Sequence, residues 1–172
     1  TKQGRAELAL PCFQTALKLD PKSSRALDGV AGVYRNNKMW SELGDLLVHR
    51  ADVSASPSDA RELRTQAAEV LEKHLRDLDG AQELYERIIR EDPGDLVVSQ
   101  ALSRIYEQNH ELDRLVPLLS RQADEERGPR RHAALCRLGD LQRAHLGDLE
   151  EARRSYELVL EENPAHPQAL LG

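Results

Sequence analysis

Apolar residues recur along this chain at the spacing of an α-helix. Leu27, Val30, Ala31 and Tyr34 form an i, i+3, i+4, i+7 stripe, Leu43, Leu46, Leu47 and Ala51 form a second, and Ala81, Leu84, Tyr85 and Ile88 a third. That period lines one face of a helix, and no strand-like alternation competes with it. Pro21, Pro57, Pro93, Gly128-Pro129 and Pro164 punctuate the pattern. Ser56, Pro57 and Asp59 read as an N-cap, a first-turn proline and a capping-box acid. The pattern predicts helices over 5–19, 23–36, 40–53, 57–75, 78–91, 95–108, 112–126, 129–145 and 148–162, with another starting near 166. Pro11 and Pro117 fall inside two of these. An interior proline costs about 3 kcal/mol, so both helices are expected to start late or kink there.

The pattern repeats. A shift of 72 residues lays Phe13 on Tyr85, Asp20-Pro21 on Asp92-Pro93, Tyr34 on Tyr106, and Leu43, Leu46, Leu47 and Ala51 on Leu115, Leu118, Leu119 and Ala123. A further shift of 71 lays His74-Leu75, Asp77-Leu78, Ala81, Tyr85-Glu86 and Pro93 on His145-Leu146, Asp148-Leu149, Ala152, Tyr156-Glu157 and Pro164. Each period holds four helical patterns, hence two helix-turn-helix units, and a fixed period of this kind points to a stacked array.

Composition supports helix over sheet: only 3% of residues are aromatic, with one Phe, one Trp and four Tyr among 172, and Ala and Leu carry the apolar content. The net charge of −6 argues against a phosphate-backbone partner, which a basic footprint would attract. Phe13, Tyr34, Trp40, Tyr85, Tyr106 and Tyr156 all fall at expected core or inter-helix slots, leaving no surface platform for stacked bases. No nucleic acid or membrane is expected as a partner. No run approaches a membrane span, and Thr1-Lys2-Gln3-Gly4 does not open a signal peptide.

Catalytic chemistry finds no foothold. Six histidines include no His-Glu-x-x-His, and the ten glycines form no phosphate loop, so no metal, cofactor or catalytic residue is assigned. His74 and His145 are expected to cap the negative ends of their helices. Cys12 and Cys136 lack both Cys-x-x-Cys spacing and a positioned base; Cys12 is expected near the core of its helix and Cys136 as a packed or partly exposed thiol, which suits a reducing compartment.

These residues resemble the tetratricopeptide repeat, a 34-residue pair of antiparallel helices. Gly4, Ala9, Phe13, Ala16 and Pro21 fill second-helix slots; Leu27, Val30, Ala31 and Tyr34 fill first-helix slots. Asp77, Ala81, Tyr85, Ile88 and Pro93 give another second helix, and Leu138-Gly139 with Gly147-Asp148, Ala152, Tyr156, Val159 and Pro164 give nearly a whole repeat. The units at Leu43–Ala51 and Leu115–Ala123 diverge, and the first helices that follow them are extended by about a residue, in the style of bacterial members. The resemblance implies an all-α fold, a right-handed superhelical solenoid of stacked antiparallel helix pairs. It would comprise one repeat domain over 1–172: a half repeat at 1–21, repeats at 22–55, 56–93, 94–127 and 128–164, and the start of another at 165–172. Unpaired ends suggest a fragment of a longer chain and self-association through exposed ends.

What the resemblance implies for function is a non-enzymatic scaffold that binds a protein or peptide along a concave groove, in a bacterial cytoplasm. First-helix positions one step from the core stripe would line it: Asp28, Gly32 and Arg35, then Gln66, Glu69 and Lys73, then Gln100, Arg104 and Glu107, then Arg137, Asp140 and Arg143. The lysine and asparagine pair with which some members clamp a chaperone's terminal carboxylate is lacking. A docking segment of a larger enzyme or signalling protein is the alternative, and an RNA-binding repeat is disfavoured by the charge and aromatic pattern.

Overall fold

The computed structural model describes the backbone of residues 2–20 and 23–172 and side-chain surroundings over 10–20 and 23–172. The slots assigned to Gly4 and Ala9 and the stop at Pro21 lie outside the residues so described. In chain order the α-helices are α1 (Lys2–Leu19), α2 (Ser24–Asn36), α3 (Trp40–Val53), α4 (Pro57–Val70), α5 (Leu78–Glu91), α6 (Leu96–Gln108), α7 (Leu112–Glu125), α8 (Pro129–Leu141), α9 (Leu149–Glu162) and α10 (Pro167–Leu171). No strand occurs among the described residues. Every helix read from the apolar period is present, most with ends within a residue of expectation.

The two extended first helices show how an additional residue is absorbed. Past α4 and α8 the chain continues as a single π-helical turn, Leu71–Leu75 and Gln142–Leu146; an i→i+5 turn takes up one residue without breaking the helix. Each turn stops at a left-handed residue, Arg76 at φ 59° and Gly147 at φ 67°. The next amide then folds back, Asp77 N–H to the Leu71 carbonyl at 3.0 Å and Asp148 N–H to that of Gln142 at 2.9 Å.

The proline expectation fails in part. α1 runs through Pro11 and α7 through Pro117, and neither helix starts late. Both prolines are exposed, so water can replace the missing backbone partner and the ring meets no packed neighbour. The cap before α4 forms as expected on one arm only: Ser56 Oγ accepts the Asp59 N–H at 3.2 Å, whereas the Ser56 N–H goes to Ser54 Oγ at 3.3 Å. The Asp59 carboxylate is left out of the cap.

The chain divides into two compact units, one ending at Glu91 and the other spanning Asp92–Gly172. In the first, α3 packs on α4, α4 on α5 and α1 on α2. Its core joins Ala31, Leu43, Leu47, Ala67 and Val70, with Tyr34, Leu46, Leu63 and Leu84 against them. Phe13 lies so close to Gly29 that a methyl there would sit 2.4 Å from the ring. In the second unit α7 packs on α8 and α8 on α9, around Leu135, Cys136, Ala152, Tyr156 and Val159. Fully buried leucines such as Leu43, Leu47, Leu115 and Leu119 each contribute about 1.5–3 kcal/mol.

Two expected burials are corrected. Cys12 is exposed, because its position in α1 turns away from the stripe that Phe13 and Ala16 present. Tyr85, Tyr106 and Tyr156 are buried, but Phe13, Tyr34 and Trp40 are only half-buried. Trp40 opens α3, and the first turn of a helix has neighbours on fewer sides than its middle.

Candidate partner-binding faces

In the first unit α2 and α4 are the first helices of successive pairs, and α3 packs against both. Arg35, Gln66, Glu69 and Lys73 surround one cleft of about 400 Å³, together with Trp40 and His74. Asp28 and Gln66 line a second, wider cleft of about 720 Å³ whose apolar side is Leu27, Leu46 and Leu63. Gln66 belongs to both clefts, so five of the six positions expected to line a groove in this unit are brought to these two clefts from α2, α4 and the π-turn that follows it. Gly32 lies on the same helix with open space around it.

Some of these charges are already matched. Asp28 pairs with Arg50 at 2.9 Å and Lys73 with Glu69 at 3.0 Å, and Gln66 Nε2 donates to Glu62 Oε1 at 3.2 Å. The Lys73–Glu69 pair, exposed on both sides, is worth about 0.2–1 kcal/mol. Deeper in the unit, Arg64 is 6% exposed and bonds both carboxylate oxygens of Glu91, at 3.1 and 2.9 Å. That pair ties α4 to α5.

The sequence reading missed the most distinctive feature of this cleft. The Trp40 and His74 rings stack with centroids 3.7 Å apart and planes 6° from parallel. The expected helix-capping role of His74 is thereby corrected in detail: it sits in the π-turn at the end of its helix, but its ring is engaged by tryptophan. No periodicity links Trp40 to His74, which lie on different elements. The signal available was the additional residue of the 57–75 pattern, which changes the direction of everything after Val70.

In the second unit the expected residues also gather, but on one another. Arg137 of α8 pairs with Glu107 of α6. Asp140 accepts from Tyr156 Oη at 2.6 Å and from Gln168 Nε2 at 2.9 Å, and Arg143 reaches Asp140 at 3.7 Å and the Gly172 carbonyl at 3.3 Å. Burial, and then the hydrogen bond to Asp140, push the Tyr156 phenol up to about 12. Gln100 and Arg104 are exposed on α6.

A further cluster joins α8, α9 and α10. Glu162 accepts from His132 Nε2 and pairs with Arg131 Nε, each at 2.9 Å, and the His132 ring meets His166 edge-on at 5.6 Å. The hydrogen bond from His132, with the Arg131 charge beside it, holds the Glu162 carboxyl below its usual range. Cys136 is buried, its Sγ 3.9 Å from His166 Nδ1; burial, and after it the Asp140 charge, push the thiol up, so it stays protonated and a poor nucleophile at neutral pH. Among the described residues no group of three or more His, Cys, Asp or Glu could hold a metal ion, and no helix is long and apolar enough to cross a membrane.

Two family models, each described as tetratricopeptide repeat, match residues 64–95 and 132–166. Over those two segments the chain carries tetratricopeptide repeats. Its fold is the all-α solenoid class of stacked helix pairs found in solved members. YrrB, described as a TPR protein with an unusual peptide-binding site, superposes with a TM-score of 0.57 at 20% identity, over 97% of this chain and 82% of that one. MamA gives 0.59 at 16% identity, over 95% and 91% of the two chains. BtubC from P. vanneervenii gives 0.52 at 18% identity, over 96% and 74%. No curated protein matches the sequence. At these identities the likeness is one of fold.

Proposed function

We propose that this protein is a non-enzymatic scaffold that binds a partner protein or peptide along the exposed faces of its first helices, with repeats at 22–55, 56–93, 94–127 and 128–164. The observation that carries this reading is the convergence of Arg35, Gln66, Glu69 and Lys73 with the Trp40–His74 stack on one cleft. Flat rings beside polar groups of both signs suit a peptide, which offers backbone donors and acceptors along its length and a side chain for the rings. The Asp28, Gln100, Arg104, Glu107, Arg137, Asp140 and Arg143 positions extend the polar surface within their own units. YrrB, which shares the fold and is described as having a peptide-binding site, fits the same reading.

The test is selection of ligands from a random peptide library displayed against the whole protein, followed by rebinding to Arg35→Glu with Lys73→Glu and to Arg104→Glu with Arg143→Glu. Loss of tenfold or more in affinity for at least one pair, about 1.4 kcal/mol, is expected. Equal binding by wild type and both charge-reversed forms would place the partner surface elsewhere.

A further inference from the structure

The two clefts of the first unit join at Gln66, and their charges are unequal. In the wider one Asp28, Asp59 and Glu62 share the lining with Arg50 and His49; once Asp28 and Arg50 cancel as an ion pair, the carboxylates of Asp59 and Glu62 remain, with the His49 ring in the same lining. In the narrower one Arg35 and Lys73 face Glu69; once Lys73 and Glu69 cancel, Arg35 remains, beside the His74 ring. Arg35 makes no ion pair among the described residues. Leu63 follows Asp59 and Glu62 along α4 and precedes Gln66 and Glu69, and Leu27 and Leu46 line the same wider cleft, each only partly buried. The surface along α2 and α4 is thus acidic at one end, aliphatic in the middle and basic, with a stacked ring pair, at the other.

Helix macrodipoles account for part of this, since acids at N-termini and bases at C-termini stabilise a helix. Asp59 lies in the first turn of α4 and Lys73 in the π-turn that continues it, as that rule prefers. The effect fades beyond the terminal turn, however, and Asp28 and Glu62 sit further in, on the face that the aliphatic residues share.

We propose that this groove selects a segment with segregated charge: cationic side chains at one end, aliphatic ones in the middle, anionic ones at the other. The proposal rests on the scaffold reading above and gives it a ligand class. From Asp59 to Lys73 the groove runs about 20 Å at 1.5 Å per residue, the span of about six extended residues or about three and a half helical turns. The ligand's basic end meets Asp59 and Glu62, its aliphatic residues cover Leu27, Leu46 and Leu63, and its acidic end meets Arg35 and the Lys73 side of the Trp40–His74 stack. Complementary signs fix the direction in which the segment lies and penalise the reversed one.

Trp40 is the single tryptophan of the chain and stands at the basic end, so its emission reports occupancy there. Four synthetic peptides of about a dozen residues with the same leucines serve as probes: lysines at one end and glutamates at the other, the same composition with signs alternating, lysines throughout, and glutamates throughout. Binding to the whole protein is followed by Trp40 emission and, independently, by calorimetry. The segregated peptide is expected to bind saturably and at least about tenfold tighter than the alternating one. Asp59→Lys with Glu62→Lys is expected to weaken the segregated peptide by a similar factor and strengthen the all-glutamate one; Arg35→Glu with Lys73→Glu should do the converse for the all-lysine peptide. All four sites are exposed or half-buried, and unchanged helical circular dichroism checks that the variants fold. Equal affinity for segregated and alternating peptides, or indifference to both reversals, overturns the proposal. Should library selection return cleft-dependent ligands with no charge segregation, this inference fails while the scaffold reading stands. If neither the library nor the probes yield binding, both fail.

Discussion

Gly32 and Gly139 both sit inside helices, yet their surroundings give them opposite worth. Nothing lies within 4 Å of a methyl placed at Gly32, whereas one at Gly139 would meet the Tyr156 ring at 2.8 Å. That ring is buried and its hydroxyl is tied to Asp140, so it cannot swing aside. Gly32→Ala is therefore expected to raise stability by about 0.5–1 kcal/mol through helix propensity alone. For Gly139→Ala the overpacking cost of about 1–3 kcal/mol outweighs that gain. Thermal melts of the two variants should shift in opposite directions, and a shared direction would refute the packing assigned to Tyr156. The sequence flagged Gly139 through its Leu-Gly motif. It offered no such flag for the still closer contact of Phe13 with Gly29, because that contact depends on how α1 meets α2.

At the scale of elements, the second unit is pinned where α8 meets the end of α9. Glu162 receives both His132 and Arg131 from α8, and its carboxyl is held below the ordinary value of 4.5. A depressed native pKa means that the unfolded chain takes up the proton first. The stabilisation is complete above the unfolded value and is lost as pH falls through the native one. Glu162→Gln is expected to lower stability at neutral pH and to flatten its decline below about pH 4.5. Chemical denaturation at several pH values checks this, and parallel curves for wild type and variant would show that the pairs contribute nothing. The π-turns belong to this scale too. A residue too many for the repeat was legible in the sequence, but whether it became a loop, a register shift or a widened turn depended on which arrangement kept Val70 buried while still closing hydrogen bonds.

For the molecule as a whole, helices pack chiefly on their chain neighbours, so stability is a sum over adjacent elements and damage stays near its source. Tyr85, 2% exposed, fills the space between α4 and α5 and donates from its hydroxyl to Glu72 Oε2 at 3.1 Å. Tyr85→Ala is expected to cost about 3–5 kcal/mol. Amide hydrogen exchange should quicken in α4 and α5 well before α1 and α2 of the same unit. An unchanged melting curve would remove Tyr85 from the core, and uniform acceleration across the unit would contradict local stacking.

The sequence by itself determined the helices, their ends and the repeat, because a 3.6-residue period, capping residues and prolines act within a few residues of themselves. It also placed Gln66 and Glu69 on one side of α4, since a known period converts spacing into direction. Only the tertiary structure decided that Trp40 would lie flat on His74, that Asp59 and Glu62 would line one cleft and Arg35 its neighbour, and that Asp140 would be taken by Tyr156 and Gln168. Those juxtapositions join residues of different helices, and their geometry is set by how side chains fill the space between helices, a property no single stretch of chain contains.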